Sequence, residues 1–423
     1  LAVTTNSLDQ AVHTLRRTVV LPTGTPCIET LPRRGYRFVA AVTLDRATRD
    51  DAARDDAAAD EVLATHRAWI EGRAALETLE ADAIHAARRA FEAVVIRQPS
   101  RATAHVGLAH ACALQFDLTR TDAAPDVATL QVALQHAREA RRLDPGYGEA
   151  WATLGIVVER CGQRDDAVAA LREATALEPD NWRHHLRLGA ASWGEERLRE
   201  ARRVLSLMPG LAMAHWLAAS VLVARGALAD AERELQHGLE TPPAPRFTAV
   251  ALYWLLGLLR LARGDDDGAR HAWASELALE GTRHLYAREV AANTWYAIGA
   301  SHFRAQALDE AHVAWLECVQ RVPTHPLAWA ALHGAGMAVP PAGLVSGAPG
   351  RLSSVDQAIT AAVHRIAANG TSGCEAHAAA IERALVNAQG NGGWLVPVEP
   401  MLAVSLSPAA WSRVLTLLRH RAA

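Results

Sequence analysis

Between Gly148 and Pro179 the chain reads GEAWATLGIVVERCGQRDDAVAALREATALEP, and its small residues fall at intervals that suit two helices packed very closely. Gly155 lets a second helix approach the first, and Gly162-Gln163-Arg164 breaks the first helix into a short turn. Ala167 and Ala174, seven residues apart, share one face where a neighbouring helix must come near. Pro179 cannot continue a helix and, with Asp180-Asn181, closes the unit. A single such unit cannot bury its own apolar face, so the stretch predicts copies of itself on either side.

The copies are present. A step of 34 residues lands on Trp182, with Leu188-Gly189, Ala201 and Leu205 in the same slots and Pro209 closing early. The next unit carries Ala218-Ala219, Gly226, Ala231, Leu235 and Pro243; another carries Tyr253, Leu256-Gly257, Gly264, Ala269 and Trp273. A later copy holds Trp295, Ile298-Gly299, Ala311, Trp315 and Pro323, and a final first helix holds Trp329 and Leu332 before Pro340-Pro341 stops the array. Upstream, Trp69, Gly72, Ala87, Phe91 and Pro99 make one unit, and Leu108-Ala109 to Pro145 another, lengthened around Thr119 to Asp126. Residues 62–338, roughly seven units, resemble the tetratricopeptide repeat family. That resemblance implies a mainly α chain coiled into a right-handed superhelix, lined inside by the first helix of each unit.

Residues 1–44 follow a different grammar. Leu8, Val12, Leu15 and Val19 form a helical stripe, and Cys27 to Leu31 and Gly35 to Val39 read as two strands joined by Pro32-Arg33-Arg34. SLDQAVHTLRR followed by IETLPRRGYRFVAAV resembles the end of the OmpR/PhoB-type winged helix, the DNA-binding output module of bacterial response regulators. The resemblance makes the helix a recognition helix and the hairpin a wing. It implies DNA contacts from His13, Thr14, Arg16, Arg17, Thr30, Arg33, Arg34 and Arg37, with Tyr36 and Phe38 packing the wing. Charge agrees, since residues 1–49 hold seven arginines against three acids. The strand platform and two helices that open that family's domain do not precede Leu1, so the expectation is a partial winged helix with incomplete DNA binding. Leu1 in place of Met reads as a fragment or an alternative start.

Composition narrows the function further. The 423 residues carry a net charge of −3, and all 43 basic residues are Arg, a pattern read as coding bias. Five scattered cysteines without paired spacing fit a reducing cytoplasm. No apolar run is long enough to span a membrane, and no signal peptide opens the chain. Motifs for phosphate loops, zinc proteases and serine hydrolases are absent, Cys374 has no partner base, and His105/His110 and His184-His185 lack metal-ligand spacing. The expectation is no enzyme, no cofactor and no metal.

Residues 45–61 read as a charged, Ala-rich linker and 339–423 as a helical cap over the end of the array. Within the cap, Ser353 to Asp356 opens a helix, Glu375 to Ala388 forms another, Trp394 to Val398 is extended, and Pro408 begins the last helix. Inward slots give Glu149 and Glu159 early in the groove. Later slots form a partner groove of Trp193, Trp216, Trp254, Tyr296, Phe303 and Arg304, suited to a protein, a peptide or a small apolar ligand. The functional expectation is a transcriptional regulator in which DNA binding is coupled to such a groove. The alternative is a protein-interaction scaffold without DNA binding.

Overall fold

The computed structural model describes residues 28–31, 35–39, 67–240, 250–339, 352–370 and 373–423. Two compact units divide the chain, 1–64 and 65–423. In the first, strands β1 (Ile28–Leu31) and β2 (Gly35–Phe38) form an antiparallel hairpin that pairs Ile28 with Phe38 and Leu31 with Gly35. The expected contacts His13, Thr14, Arg16, Arg17, Arg33 and Arg34 lie outside the described residues, as does the 45–61 linker. Thr30 and Arg37 stand on the backbone of the two strands.

The second unit is a series of helix pairs. Unit one pairs residues 67–78 with Ala81–Arg97, and unit two pairs Ala102–Thr119 with Val127–Leu143. Units three and four are Gly148–Arg160 with Arg164–Leu177 and Trp182–Ala191 with Glu195–Leu207. Units five and six are Ala212–Ala224 with Leu228–Glu240 and Leu252–Ala262 with Asp266–Ala278, and unit seven is Ala287–Arg304 with Leu308–Arg321. The mainly α repeat fold expected from the spacing is therefore observed.

The small-residue slots act as anticipated. Ala167, Ala201, Ala231, Ala269 and Ala311 are each fully buried between paired helices. A Cβ on Gly155 would stand 2.6 Å from Leu171, one on Gly257 2.2 Å from Trp273, and one on Gly299 2.4 Å from Trp315. The missing side chain lets each indole lie on the helix backbone, where Trp273 Nε1 donates to Trp254 O and Trp315 Nε1 to Tyr296 O, both at 3.3 Å. Phe91 wedges in the same way beneath Gly72 and Gly107. A further regularity uses the closing proline. Its carbonyl meets the ring nitrogen six residues on, in Pro99–His105, Pro145–Trp151, Pro179–His185 and Pro323–Trp329, at 2.8–2.9 Å.

Two slots differ from the sequence reading. In unit four the first helix stops at Ala191, and Val204 rather than Leu205 fills the bulky position. The array also does not stop at Pro340-Pro341. The helix Pro326–Gly334 packs against Ser354–Asn369 as an eighth pair, so closely that a Cβ on Gly334 would stand 2.2 Å from His364 O. Sequence reading missed the partner because a Gly/Pro/Ser segment separates the two helices. Ser353 caps the second of them as expected, its hydroxyl accepting from Asp356 N at 3.2 Å.

The coil turns far enough for its first two units to meet the seventh and the turns that flank it. Leu285 N donates to Leu79 O at 2.6 Å, Arg288 donates to Asp122 and to Leu118 O, and Thr324 donates to Thr121 O. At the centre of this seam Asp117, with 2% of its side chain exposed, accepts from Arg160 Nε and Nη2 and from Tyr286 OH.

The candidate partner groove

The first helices of successive units touch one another and form one continuous wall. Its early part is charged. Glu149 accepts from Arg187 at 2.8 Å; burial pushes its carboxyl up, but Arg187 and Arg73 hold it down to about 2. The later part is apolar, and it is there that the C-terminal segment lies.

Residues 339–423 do not simply cap the end of the array. After the helix Cys374–Val386 the chain returns along the wall. Arg164 holds Asn391 at 3.4 Å, Trp394 meets Trp216 edge-on with ring centroids 5.7 Å apart, and Val398 joins the apolar cluster that contains Trp254. Further on, Tyr296 OH donates to Glu399 Oε1 at 2.6 Å, and Glu399 Oε2 accepts from Leu402 N at 2.6 Å. The last helix, Pro408–Ala422, ends where Arg225 donates to Ala422 O at 2.7 Å beside Trp193. Residues 396–404 are all buried.

This segment is not the extended strand expected for Trp394 to Val398. Turns lead into a short 3-10 helix, Val396–Val398, with Pro397 inside it. Proline fixes its own φ and cannot donate to a ladder, and among the described residues no strand pairs with this segment. Gly390 and Gly393 have φ of +62° and +75°, so the bends into the groove use backbone that other residues rarely adopt.

Two of the groove aromatics are positioned from below. Glu276, buried in the second helix of unit six, accepts from Ala251 N and Trp254 N and so fixes the start of the helix that carries Trp254. Arg197 spreads its guanidinium over Gly189, Ala190 and Ser192 carbonyls and lies 4.8 Å from the Trp193 ring. Burial, with Arg164 nearby, lowers its pKa to about 9.

Of the six groove residues named from sequence, Trp193, Trp216, Trp254 and Tyr296 come together under the C-terminal segment. Phe303 packs against the cluster that holds Tyr296 and Met401, and with Arg304 it lines a cavity there. Missed entirely were the residues that occupy the groove: Trp394, Val398 and Glu399. The available signal was WLVPVEPMLAV, an apolar run with two prolines that suits neither a helix nor water, placed just after a glycine-rich bend.

The histidines behave as structural groups. His105 Nδ1 lies 2.8 Å from His136, and His185 lies 2.6 Å from Glu200. Among the described residues no His/Cys/Asp/Glu group is arranged to hold a metal, and no helix is long and apolar enough to cross a membrane.

No known family profile matches the sequence, and no curated protein matches it. Similar solved structures include the Cut9-Hcn1 hetero-tetramer of APC/C, 17% identical over 56% of this chain and 43% of that one, with a TM-score of 0.44. The human IFIT1 dimer with PPP-AAAA is 13% identical over 77% of this chain and 68% of its own, with a TM-score of 0.45. The pilF protein of Pseudomonas aeruginosa is 17% identical over 51% and 91%, with a TM-score of 0.38. The paired helices described above carry the fold, not these distant likenesses.

Proposed function

We propose that this chain is a cytoplasmic binding module, not an enzyme, whose inner wall receives an apolar polypeptide segment containing tryptophan and proline. Residues 390–406 act as its resident internal occupant. The observation that carries the reading is the edge-on seat of Trp394 on Trp216, continued by the burial of 396–404 along the first helices. A partner presenting the same chemistry competes for the same seat, because aromatic anchors in a preformed groove supply most of the energy of such contacts.

The test uses the full chain and its Trp394→Ala/Val398→Ala variant, titrated with a fluorescein-labelled peptide of residues 391–404. The variant is expected to bind the peptide at least tenfold more tightly than the parent, since a weakened internal occupant competes less. A variant that keeps its helical circular dichroism yet binds no peptide would refute the groove reading.

The hairpin Ile28–Leu31/Gly35–Phe38 supports a second reading. On the winged-helix resemblance it is a wing, and the groove module would bias a DNA-binding regulator according to what it holds. Arg33→Ala/Arg34→Ala is expected to weaken DNA binding and to make its salt dependence shallower by about one to two ions. Equal affinity and an equal slope would remove the wing assignment.

A further inference from the structure

Units six, seven and eight and the C-terminal segment together line a half-open cavity of about 860 Å³. Its volume is that of small-molecule sites, which run to roughly 300–1,000 Å³. The array supplies Leu277, Ile298, Phe303 and Ile366, and the C-terminal segment adds Met401 and Leu406. Leu406 is 68% exposed, an apolar side chain left at the rim of an apolar hollow.

One side of the cavity is cationic. Arg304 and His302 line it, half-buried on the last turn of the unit seven helix. Arg270 and Asp266 also line it, and Arg270 is taken up by Asp267. Arg304 has neither a hydrogen bond nor an ion pair among the described residues, whereas most of the half-buried arginines nearby do, as Arg260 with Glu232 and Arg321 with Glu280. A guanidinium lining a partly apolar hollow without a hydrogen-bonded acceptor suits a carboxylate, since its planar fork matches two carboxylate oxygens. Gln306, also on the wall, has φ +62° at the turn where units three, five and six place Gly162, Gly226 and Gly264. A side chain is retained there despite the conformational cost.

We propose that this cavity binds an amphipathic carboxylate, its aliphatic tail against Ile298, Phe303 and Met401 and its head on Arg304. The inference stands apart from the groove reading, because its evidence is the cavity's volume and lining and the unpaired guanidinium rather than the seat of Trp394. Since Met401 and Leu406 belong to the C-terminal segment, a bound tail also fastens that segment to the array.

Calorimetric titration of the full chain with decanoate, decanol and decyltrimethylammonium tests it. Decanoate is expected to bind saturably at one site, decanol at least tenfold more weakly, and the ammonium not at all. Arg304→Gln is expected to weaken decanoate at least tenfold without changing decanol, and Arg304→Lys to restore part of the loss. Arg304 makes no hydrogen bond or ion pair among the described residues, although its charge acts on Glu399, and an unchanged urea midpoint shows that the fold is intact in both variants. Equal binding of decanoate and decanol, an Arg304→Gln variant that binds decanoate like the parent, or no saturable decanoate binding would each overturn the proposal.

Discussion

Arg160→Leu is expected to destabilise the chain by about 3–5 kcal/mol, the range for removing one partner of a buried ion pair. Asp117 is 2% exposed at its side chain, and three of its contacts come from Arg160 and a fourth from Tyr286. Leucine leaves the carboxylate enclosed with only the phenol, and the missing attraction no longer offsets its lost hydration. The fall will show as a lower urea midpoint. Pairing the change with Asp117→Leu removes the stranded charge, so the double variant is expected to recover most of the loss. A single variant within about 1 kcal/mol of the parent, or a double variant no better than the single, would show that the pair does not hold the seam.

Glu399→Gln is expected to gain on the parent as pH rises. Burial pushes the carboxyl up from 4.5 to about 7, although the Tyr296 hydroxyl, the amides of Leu402 and Met401 and the Arg304 charge all favour its ionised form. A carboxyl with a raised folded pKa stabilises the fold below the unfolded pKa and loses that contribution as the unfolded chain ionises first. The loss therefore runs from about pH 4.5 to 7 and amounts to about 3 kcal/mol.

The parent's own profile conceals this. His110, His284 and His325 are lowered to about 3, 4 and 4 by burial, so their contributions grow as pH rises towards 6.5. His325, 5.4 Å from the Tyr296 ring, is the nearest of them and stays neutral across the window. Glu149, held at about 2, changes only in more acid solution. The histidines are common to both proteins and cancel in the difference, which makes the gap between variant and parent at pH 5 and pH 8 the quantity to measure. A gap that does not move with pH would mean that Glu399 is ionised in the folded chain throughout.

What could be read from sequence was what repeats. Ala167, Ala231 and Ala311 are fixed by the short distance between paired helices, a constraint local enough to leave a period in the chain. The hairpin was equally legible, because strands, turn and pairing lie within eleven residues. Trp216 and Tyr296 were placed in the groove by the same period. Their occupant was not, since the match of Trp394 to Trp216 spans 178 residues and occurs once. The bond of Tyr296 to Glu399 is a similar case: a buried glutamate looks like any surface glutamate until its long-range partner is known. The pairing of Asp117 with Tyr286 depends on how far the coil has turned, a sum of small rotations that no single unit records.

That seam alters what kind of object the array is. A row of stacked pairs normally frays from its termini, because an end unit has one neighbour where an inner one has two. Here the bonds from Leu285 to Leu79, from Arg288 to Asp122 and from Thr324 to Thr121 give the first two units a further neighbour drawn from near the other end of the row. Peeling away one pair then requires opening a junction that joins residues about two hundred positions apart in the chain. The row behaves as a hoop, which must be cut before it can unravel.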